Sequence, residues 1–175
     1  MTDRYDQPIK DVVATVWPGL DWRLIKAQMV QESSGNPNAK SACGALGLLQ
    51  LMPDTFVEVL PGPNLQDITD PLINLLAGVC YLAQQFNKFP EIANEHERLK
   101  FALASYNGGR GYINRALSLA RQENPAKVPT WEWARGFLAV EGCTVAGKHP
   151  DYRQIWHYVG SIMVRWAGYR TEVAA

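Results

Sequence analysis

The sequence predicts a mainly α-helical protein with at most a very short β piece. Apolar residues recur at helical spacing in several segments, strand-like alternation is nearly absent, and Gly and Pro separate the segments. With 175 residues, 47% of them hydrophobic, the chain is long enough to bury one core and too short to suggest two. Residues 1–175 are therefore predicted to form a single domain.

The first predicted helix ends at an acidic residue, Glu32. Asp21 is its expected N-cap, and Gly35 and Pro37 are expected to stop it. Its apolar stripe, which Glu32 continues, consists of Trp22, Ile25 and Met29.

Glu32 is the candidate general acid. A carboxyl that faces apolar neighbours loses hydration of its charged form, so it keeps its proton to higher pH and can donate it near neutrality. The alternative is a Glu that points into solvent from the last turn and has no function, which is usual for a helix-terminal Glu. The residues that follow decide between the two.

A loop rich in Gly, Pro and small residues follows, in the segment ESSGNPNAKSACGALGLLQLMPDT. Short extended pieces are expected at most around residues 44–51, and Pro61-Gly62-Pro63 is predicted to be a rigid turn. Asp70 and Pro71 then provide the N-cap and the first residue of another helix. The predicted core-facing stripe of that helix is Leu72, Leu75, Leu76, Val79 and Leu82.

Three more helices are predicted over about residues 95–107, 111–122 and 151–168. Residues about 124–150 lie between the last two and are interpreted as an insertion. Within it, Trp131 and Trp133 flank Glu132, and tryptophan faces stack well on sugar rings, although a Trp is more often part of the structure. The apolar stripe of the last helix is Ile155, Val159, Ile162 and Trp166.

Three blocks of residues carry a family pattern. The first is Glu32, Ser33, Gly35, Pro37, Ala39 and Ser41, continued by Gly44, Ala45, Gly47, Leu48, Gln50, Met52, Pro53 and Thr55. The second is Asp70, Pro71, Asn74, Gly78, Tyr81 and Leu82, and the third is Ser105, Tyr106, Asn107, Gly108 and Gly109. Together, from about residue 22 to residue 117, they resemble the catalytic domain of the soluble lytic transglycosylases, a lysozyme-like group that cleaves peptidoglycan. The sequence departs from the family at Leu49, in place of Met, and at Ser105 and Gly108, each in place of Ala.

The resemblance implies a lysozyme-like helical fold with a cleft and cleavage of the β-1,4 bond between N-acetylmuramic acid and N-acetylglucosamine. Glu32 would act first as acid and then as base and release a 1,6-anhydro product, with no cofactor and no metal. The implied substrate-binding residues are Ser33, Gln50, Tyr106, Asn107 and Tyr158. Tyr106 and Tyr158 have an alternative role as core aromatics, and Asn107 as a helix C-cap.

Two other functions stay open. A goose-type lysozyme would use a second carboxylate to activate water, and the nearby candidates are Asp54, Glu58, Asp67 and Asp70. An idle wall-binding module would keep the groove without the chemistry, although the retained Glu-Ser and Tyr-Asn pairs speak against it.

Composition excludes several other classes. The 17 basic and 17 acidic residues give no net charge, so no nucleic-acid partner is expected, and no segment has the roughly 20 apolar residues of a membrane span. Cys43, Cys80 and Cys143 have no metal-ligand spacing and cannot all pair, which argues against a Cys-His hydrolase. The expected partner is the glycan strand of peptidoglycan, bound by a monomer.

The N-terminus, MTDRYDQPIK, lacks the apolar core of a secretory signal. We therefore expect synthesis in the cytoplasm and action in the periplasm or cell wall after release. A bacteriophage endolysin or a virion-packaged enzyme fits this expectation, and a bacterial enzyme exported by a dedicated machine is the alternative.

Overall fold

The computed structural model describes residues 2–62 and 64–171, and this part of the chain is all-α, as predicted. Its only extended pairings are isolated bridges, two of which join Leu46 to Lys40 and to Leu51 within the predicted loop. The α-helices are α1 (Asp6–Val16), α2 (Arg23–Ser33), α3 (Pro53–Val59), α4 (Pro71–Asn87), α5 (Glu95–Gly108), α6 (Arg110–Glu123), α7 (Trp131–Ala134) and α8 (Tyr152–Thr171). Three 3-10 helices lie at Thr2–Tyr5, Leu65–Thr69 and Arg135–Ala139. The last residue of the predicted Pro61-Gly62-Pro63 turn lies outside the described residues.

The chain divides into two compact units. Unit 1 contains the residues up to Ala83 together with those from Ser161 onward, and unit 2 contains Gln84–Gly160. The boundaries fall inside α4 and α8. A single domain over residues 1–175 stays a prediction.

The α2 helix starts and ends close to the predicted residues. Its N-cap position is Trp22, yet the carboxylate of Asp21 accepts a hydrogen bond from the backbone N–H of Arg23 at 3.1 Å, so Asp21 still satisfies one helix-end donor. Its C-cap is Ser34, one residue before Gly35, in the left-handed conformation with a φ of 53°. The predicted N-cap is therefore wrong by one residue, whereas Gly35, with a φ of 76° directly after the C-cap, stops the helix as predicted.

The predicted start of α4 is confirmed. Asp70 accepts hydrogen bonds from the backbone N–H groups of Leu72 and Ile73 at 2.9 and 3.0 Å, and Pro71 is the first helical residue. The predicted core stripe is correct at Leu75, Val79 and Leu82, which are buried, and wrong at Leu72, which is 56% exposed. Leu72 lies in the first turn, where the helix has not yet reached the core.

A buried cation joins the first residues of unit 1 to α2. Lys26 is only 8% exposed, and its ammonium lies 2.6 Å from the carboxylate of Asp3 and 2.8 Å from that of Asp6. Just before the first residue of α2, Asp21 accepts a hydrogen bond from the indole N–H of Trp166 at 3.0 Å. The helix that carries Glu32 is thus fixed at its start by contacts with distant parts of the same unit.

The predicted insertion contains helical structure and is anchored in unit 2. Trp131 begins α7, is 6% exposed and packs edge-on against Phe101 with 5.6 Å between ring centroids. Its backbone N–H donates to the carboxylate of Glu97. Trp131 therefore has the structural role that sequence left as an alternative, whereas residues 121–128 just before it are all exposed.

No helix among the described residues is both long enough and apolar enough to cross a bilayer.

Candidate active site

Glu32 lies in the last turn of α2, at the end of a buried stripe. Ile25 and Met29 on that stripe are completely buried, whereas Trp22 and Glu32 are half-buried. Part of the Glu32 side chain is therefore buried and part is exposed. It is accessible to a ligand from outside while its stem is held by the helix.

Ser33 connects the end of α2 to the loop that follows. Its hydroxyl donates to the backbone oxygen of Leu48 at 2.8 Å and accepts from the backbone N–H of Gly35 at 3.2 Å. These two bonds satisfy a carbonyl in the loop and an N–H past the helix end. In the structure, Ser33 therefore positions the backbone next to Glu32; direct contact with the substrate stays a prediction.

Gln50 closes a tight turn in the same loop. The backbone N–H and C=O groups of Leu46 and Leu51 pair with each other at 2.9 and 3.0 Å, and Gln50, inside this turn, has a φ of 46°, uncommon for a residue other than Gly. Its side-chain nitrogen donates to the backbone oxygens of Ala39 and Gly47 at 3.0 and 2.9 Å. The side-chain oxygen is thereby oriented as the remaining polar atom of this amide, able to accept from a sugar hydroxyl.

A buried asparagine of α4 supports this loop from below. Asn74 is completely buried; its side-chain oxygen accepts from the N–H of Leu49 at 2.8 Å, and its nitrogen donates to the oxygens of Ile68 and Leu46 at 2.7 and 3.1 Å. A Cβ at Gly47 would lie 2.2 Å from the side-chain nitrogen of Asn74, so only glycine fits there.

Gly78, one turn along α4, makes room for Leu49. A Cβ at Gly78 would lie 2.3 Å from the Cδ1 atom of Leu49, and Leu49 itself is completely buried. The Met-to-Leu departure at this position is thus a matter of core packing.

In unit 2, Tyr106 and Asn107 lie in the last turn of α5. The helix ends at Gly108, and Gly109 is the C-cap with a φ of 88°, so the proposed C-cap role of Asn107 was wrong. Both side chains are half-buried, and the side-chain oxygen of Asn107 is buried without a hydrogen-bond donor among the described residues. Such an atom is costly unless a ligand or solvent molecule donates to it.

Ile155 of α8 packs on the glycine that follows. A Cβ at Gly108 would lie 2.3 Å from the Cδ1 atom of Ile155, so the departure from Ala at this position lets α8 approach α5 closely. Tyr158, one turn further along α8, is 4% exposed, like Ile155 and Val159 on the same face. This burial favours the core alternative for Tyr158, and a substrate contact by its ring stays a prediction.

The candidate residues thus fall into two groups. Glu32, Ser33 and Gln50 belong to unit 1, where Ser33 and Gln50 hold one loop; Tyr106, Asn107 and Tyr158 belong to unit 2. Sequence reasoning gave no role to Asn74, although a polar residue inside an otherwise apolar helix stripe is the signal of a buried hydrogen-bonding group.

Two of the four candidates for a second catalytic carboxylate cap helices. Asp70 caps α4, and Asp67 accepts from the backbone N–H of Asn64 at 2.8 Å in a capping box. Asp54 and Glu58 are exposed on α3. Of these four candidates, the second pair has no capping role.

The cysteines do not form a nucleophilic site. Burial raises the pKa of the thiols of Cys80 and Cys143, which disfavours the reactive thiolate. Arg115 lowers the pKa of Cys143, but not enough to reverse the effect of burial.

Comparison with known proteins places this architecture in a family. The membrane-bound lytic murein transglycosylase F of Shewanella sediminis is 39% identical over 103 residues, covering 59% of this chain and 21% of that protein, and the one of Shewanella halifaxensis is 37% identical over 82% of this chain and 30% of that protein. The chain thus spans about a fifth to a third of the length of these relatives.

Solved structures share the fold. An inactive mutant of lytic transglycosylase Slt from Pseudomonas aeruginosa superposes with a TM-score of 0.70 at 23% identity, over 97% of this chain and 25% of that one. The 70 kDa soluble lytic transglycosylase of Escherichia coli gives 0.66 at 24% identity, over 94% of this chain and 24% of that one. The family model described as the transglycosylase SLT domain matches residues 13–129. The chain therefore belongs to the transglycosylase SLT domain family.

Proposed function

We propose that this domain is a peptidoglycan lytic transglycosylase that cleaves the β-1,4 bond between N-acetylmuramic acid and N-acetylglucosamine. The observation that carries the proposal is the position of Glu32, half-buried at the end of α2 on the same stripe as the completely buried Ile25 and Met29. Membership of the SLT domain family and the names of the relatives support the same substrate.

One carboxyl is enough for the reaction. Protonated Glu32 gives its proton to the glycosidic oxygen as the bond from that oxygen to C1 of N-acetylmuramic acid breaks. The C6 hydroxyl oxygen of the same sugar then bonds to C1, and the Glu32 carboxylate removes the hydroxyl proton. The enzyme returns to its protonated form, the product is a 1,6-anhydro sugar, and no water is consumed.

The remaining residues bind and orient the glycan. Gln50 presents an amide oxygen whose partner nitrogen is already held by the loop, so little side-chain freedom is lost on binding. Asn107 offers a buried oxygen that needs a donor, and the half-buried Tyr106 supplies aromatic surface. Ser33 acts through the backbone of Leu48 and Gly35.

Mass spectrometry of the released muropeptides tests the proposal. Purified peptidoglycan is digested with the protein, and the products are expected to carry 1,6-anhydro ends. Products heavier by one water would contradict it and support the goose-type lysozyme. In that case Asp54→Asn and Glu58→Gln would be examined, because the other two acids serve as helix caps.

A catalytically inactive binding module would give a different experimental result. It would give no clearing of peptidoglycan in a gel while still sedimenting with insoluble peptidoglycan. The proposed enzyme clears the gel, and clearing is expected to disappear in Glu32→Gln.

The biological setting is a separate proposal. From sequence we expected a bacteriophage endolysin or a virion enzyme. This expectation concerns where the enzyme acts and not its chemistry. A holin-like or tail gene beside the coding sequence would support it. A neighbourhood of bacterial cell-wall or secretion genes would favour the bacterial alternative.

A further inference from the structure

A groove along α6 in unit 2 is not used by the proposed chemistry. It has a volume of about 460 Å³, within the range of roughly 300–1,000 Å³ that is typical of small-molecule sites. One wall is formed by α6 and by Pro125 in the loop that follows, and the other by Glu91, which lies between α4 and α5. We call this concave surface the α6 groove.

The α6 groove lies at the end of α5 that is opposite to Tyr106 and Asn107. Those two residues are in the last turn of α5, whereas Glu91 comes shortly before the first turn. The helix has 14 residues and is therefore about 21 Å long. An ion pair with 3.0 Å between Glu91 and Arg121 closes this far side of the groove. The groove is thus separate from the substrate-binding residues proposed in unit 2.

Three uncharged polar side chains line the groove along one face of α6. Asn114, Ser118 and Gln122 follow one another at intervals of four residues, so they are neighbours on the helix surface. None of them makes a side-chain hydrogen bond to another part of the described chain. Each amide and hydroxyl group can both donate and accept. The groups of a ligand that match all three are hydroxyls and amides, which also do both.

The floor of the groove is apolar. Leu117 is 2% exposed and lies between the polar positions on α6, and the exposed ring of Pro125 continues the surface beyond the helix end. Polar side chains on a convex helix surface are simply hydrated, whereas here they surround an apolar floor in a concave site. A sugar ring has the complementary distribution, with an apolar face of C–H groups and hydroxyls around its rim.

The charge of the groove favours a neutral ligand. Its two charged side chains, Glu91 and Arg121, are paired with each other and are each about half-exposed, so their charges cancel. A carboxylate or an ammonium group of a ligand would meet one attractive and one repulsive partner. In peptidoglycan, N-acetylglucosamine is neutral and rich in hydroxyls, whereas the peptide stems carry charges.

We propose that the α6 groove is a second, non-catalytic glycan site that binds an N-acetylglucosamine unit of the peptidoglycan strand. The inference rests on the proposed function for the identity of the polymer. A second contact holds the enzyme on an insoluble polymer between cleavage events, because the wall presents many strands at a high local concentration.

A nuclear magnetic resonance titration in an inactive background tests the site. The parent is isotope-labelled Glu32→Gln, and the probe is chitotetraose, a neutral oligomer of N-acetylglucosamine. We expect the backbone amide signals of Ser118 and Arg121 to shift and saturate as the oligomer is added. These signals give a Kd for the groove that is separate from the one given by the signals of Tyr106 and Asn107.

A double variant identifies the side chains that bind. Asn114→Ala combined with Gln122→Ala removes both amides and keeps good helix formers, and is expected to weaken the Kd of the groove roughly tenfold. The matched control is Gln84→Ala combined with Asn87→Ala, which removes an exposed Gln and an exposed Asn from α4 and should leave that Kd unchanged. Thermal unfolding confirms that both double variants are folded.

Three results would overturn the second site. They are an unchanged groove Kd in the Asn114→Ala and Gln122→Ala variant, shifts confined to the surroundings of Tyr106 and Asn107, and groove shifts caused by free peptide stems but not by chitotetraose. Failure of the proposed function is seen separately, as an absence of anhydro product from the unmodified protein, and does not affect the titration.

Discussion

The side-chain oxygen of Asn74 accepts a 2.8 Å hydrogen bond from the backbone N–H of Leu49, a residue 25 positions earlier in the chain. With the two bonds that its nitrogen donates, Asn74 holds three backbone groups around the loop that contains Gln50. The loop next to Glu32 therefore has a fixed shape because of a residue that takes no part in the chemistry.

Asn74→Asp tests this support. At neutral pH the new carboxylate would face the oxygens of Ile68 and Leu46 in place of an N–H donor, and we expect a loss of roughly 2–4 kcal/mol of unfolding free energy. The surroundings raise the pKa of such a carboxyl in the folded state, so the loss shrinks as pH falls through that pKa. Denaturant unfolding of Asn74→Asp and of the unmodified protein between pH 4 and 8 measures this loss of unfolding free energy. Asn87→Asp, exposed at the end of the same helix, is the control, and an equal effect of both variants would contradict the assignment.

Glu32→Gln tests the chemistry itself. The amide has the same size and cannot donate an acidic proton, so turnover of peptidoglycan is expected to fall by roughly 100- to 10,000-fold with little change in Tm. Release of soluble muropeptides gives the rate. Glu141→Gln, at an exposed position outside the helices, should cleave normally. Near-normal turnover of Glu32→Gln would refute the assignment.

The contact of Gly108 with Ile155 predicts that the effect of Gly108→Ala on the free energy of unfolding changes sign when Ile155 is truncated. Alanine favours a helix over glycine by up to about 1 kcal/mol, but here its Cβ would overlap Ile155, and overpacking costs roughly 1–3 kcal/mol. We therefore expect Gly108→Ala to destabilise the protein alone and to stabilise it in an Ile155→Ala background.

A double-mutant cycle by denaturant unfolding measures this coupling. Gly160→Ala is the control, since a Cβ at that exposed position in α8 meets nothing within 4 Å and should only stabilise. Additive effects of Gly108→Ala and Ile155→Ala would show that the contact is not tight.

The ion pairs of the buried Lys26 are expected to stabilise the fold only within a limited pH range. Burial lowers the pKa of Lys26, but hydrogen bonds to Asp3 and Asp6 outweigh it and raise the pKa overall; the hydrogen bond from Lys26 lowers the pKa of Asp3. The stability that Asp3 provides is therefore present above the pKa that Asp3 has in the unfolded chain. It is lost as pH falls through the lower pKa that Asp3 has in the folded protein. The Lys26 contribution is present below about 10.5, the ordinary lysine value, and is lost as pH rises through the folded pKa.

Lys26→Met should accordingly lower Tm by several degrees at pH 7, and the difference from the unmodified protein should narrow in strong acid. Thermal melts across pH measure it. Lys88→Met replaces an exposed lysine and should change Tm little at any pH. A constant difference down to pH 2.5 would show that the ion pairs contribute nothing.

Thiol labelling should separate the three cysteines. Cys43 is exposed, whereas burial raises the pKa of Cys80 and Cys143. A disulfide reagent at pH 8 is expected to modify one thiol quickly in the native protein and the other two mainly after unfolding. Cys43→Ser should remove the fast phase, and persistence of that phase would show that the half-buried Cys80 or the buried Cys143 also reacts quickly.

Periodicity predicted the long helices because their stripes are regular. It identified α5 and α6 to within a residue or two. The start of α4 was predicted from local chemistry instead, because Asp70 as N-cap and Pro71 as the first residue fix that boundary. It did not predict α1, in which only Ile9 and Val13 are buried, because two residues give little periodic signal. Leu72 was assigned to the core because a stripe does not show where the core begins.

The candidate site was predictable only in its composition. The residues around Glu32 and Tyr106 were recognised from the resemblance to the transglycosylase family, whereas the bonds of Ser33 to Leu48 and of Asn74 to Leu49 join positions far apart in sequence. No local pattern indicates such pairs.

The exposed stretch 121–128 has a practical consequence. Its first three residues end α6, and the loop 124–128 joins that helix to the anchored Trp131, so neither neighbour depends on the length of this loop. A protease should cut there before it cuts elsewhere in unit 2, and a peptide tag or fluorescent reporter grafted into it should leave both flanks in place.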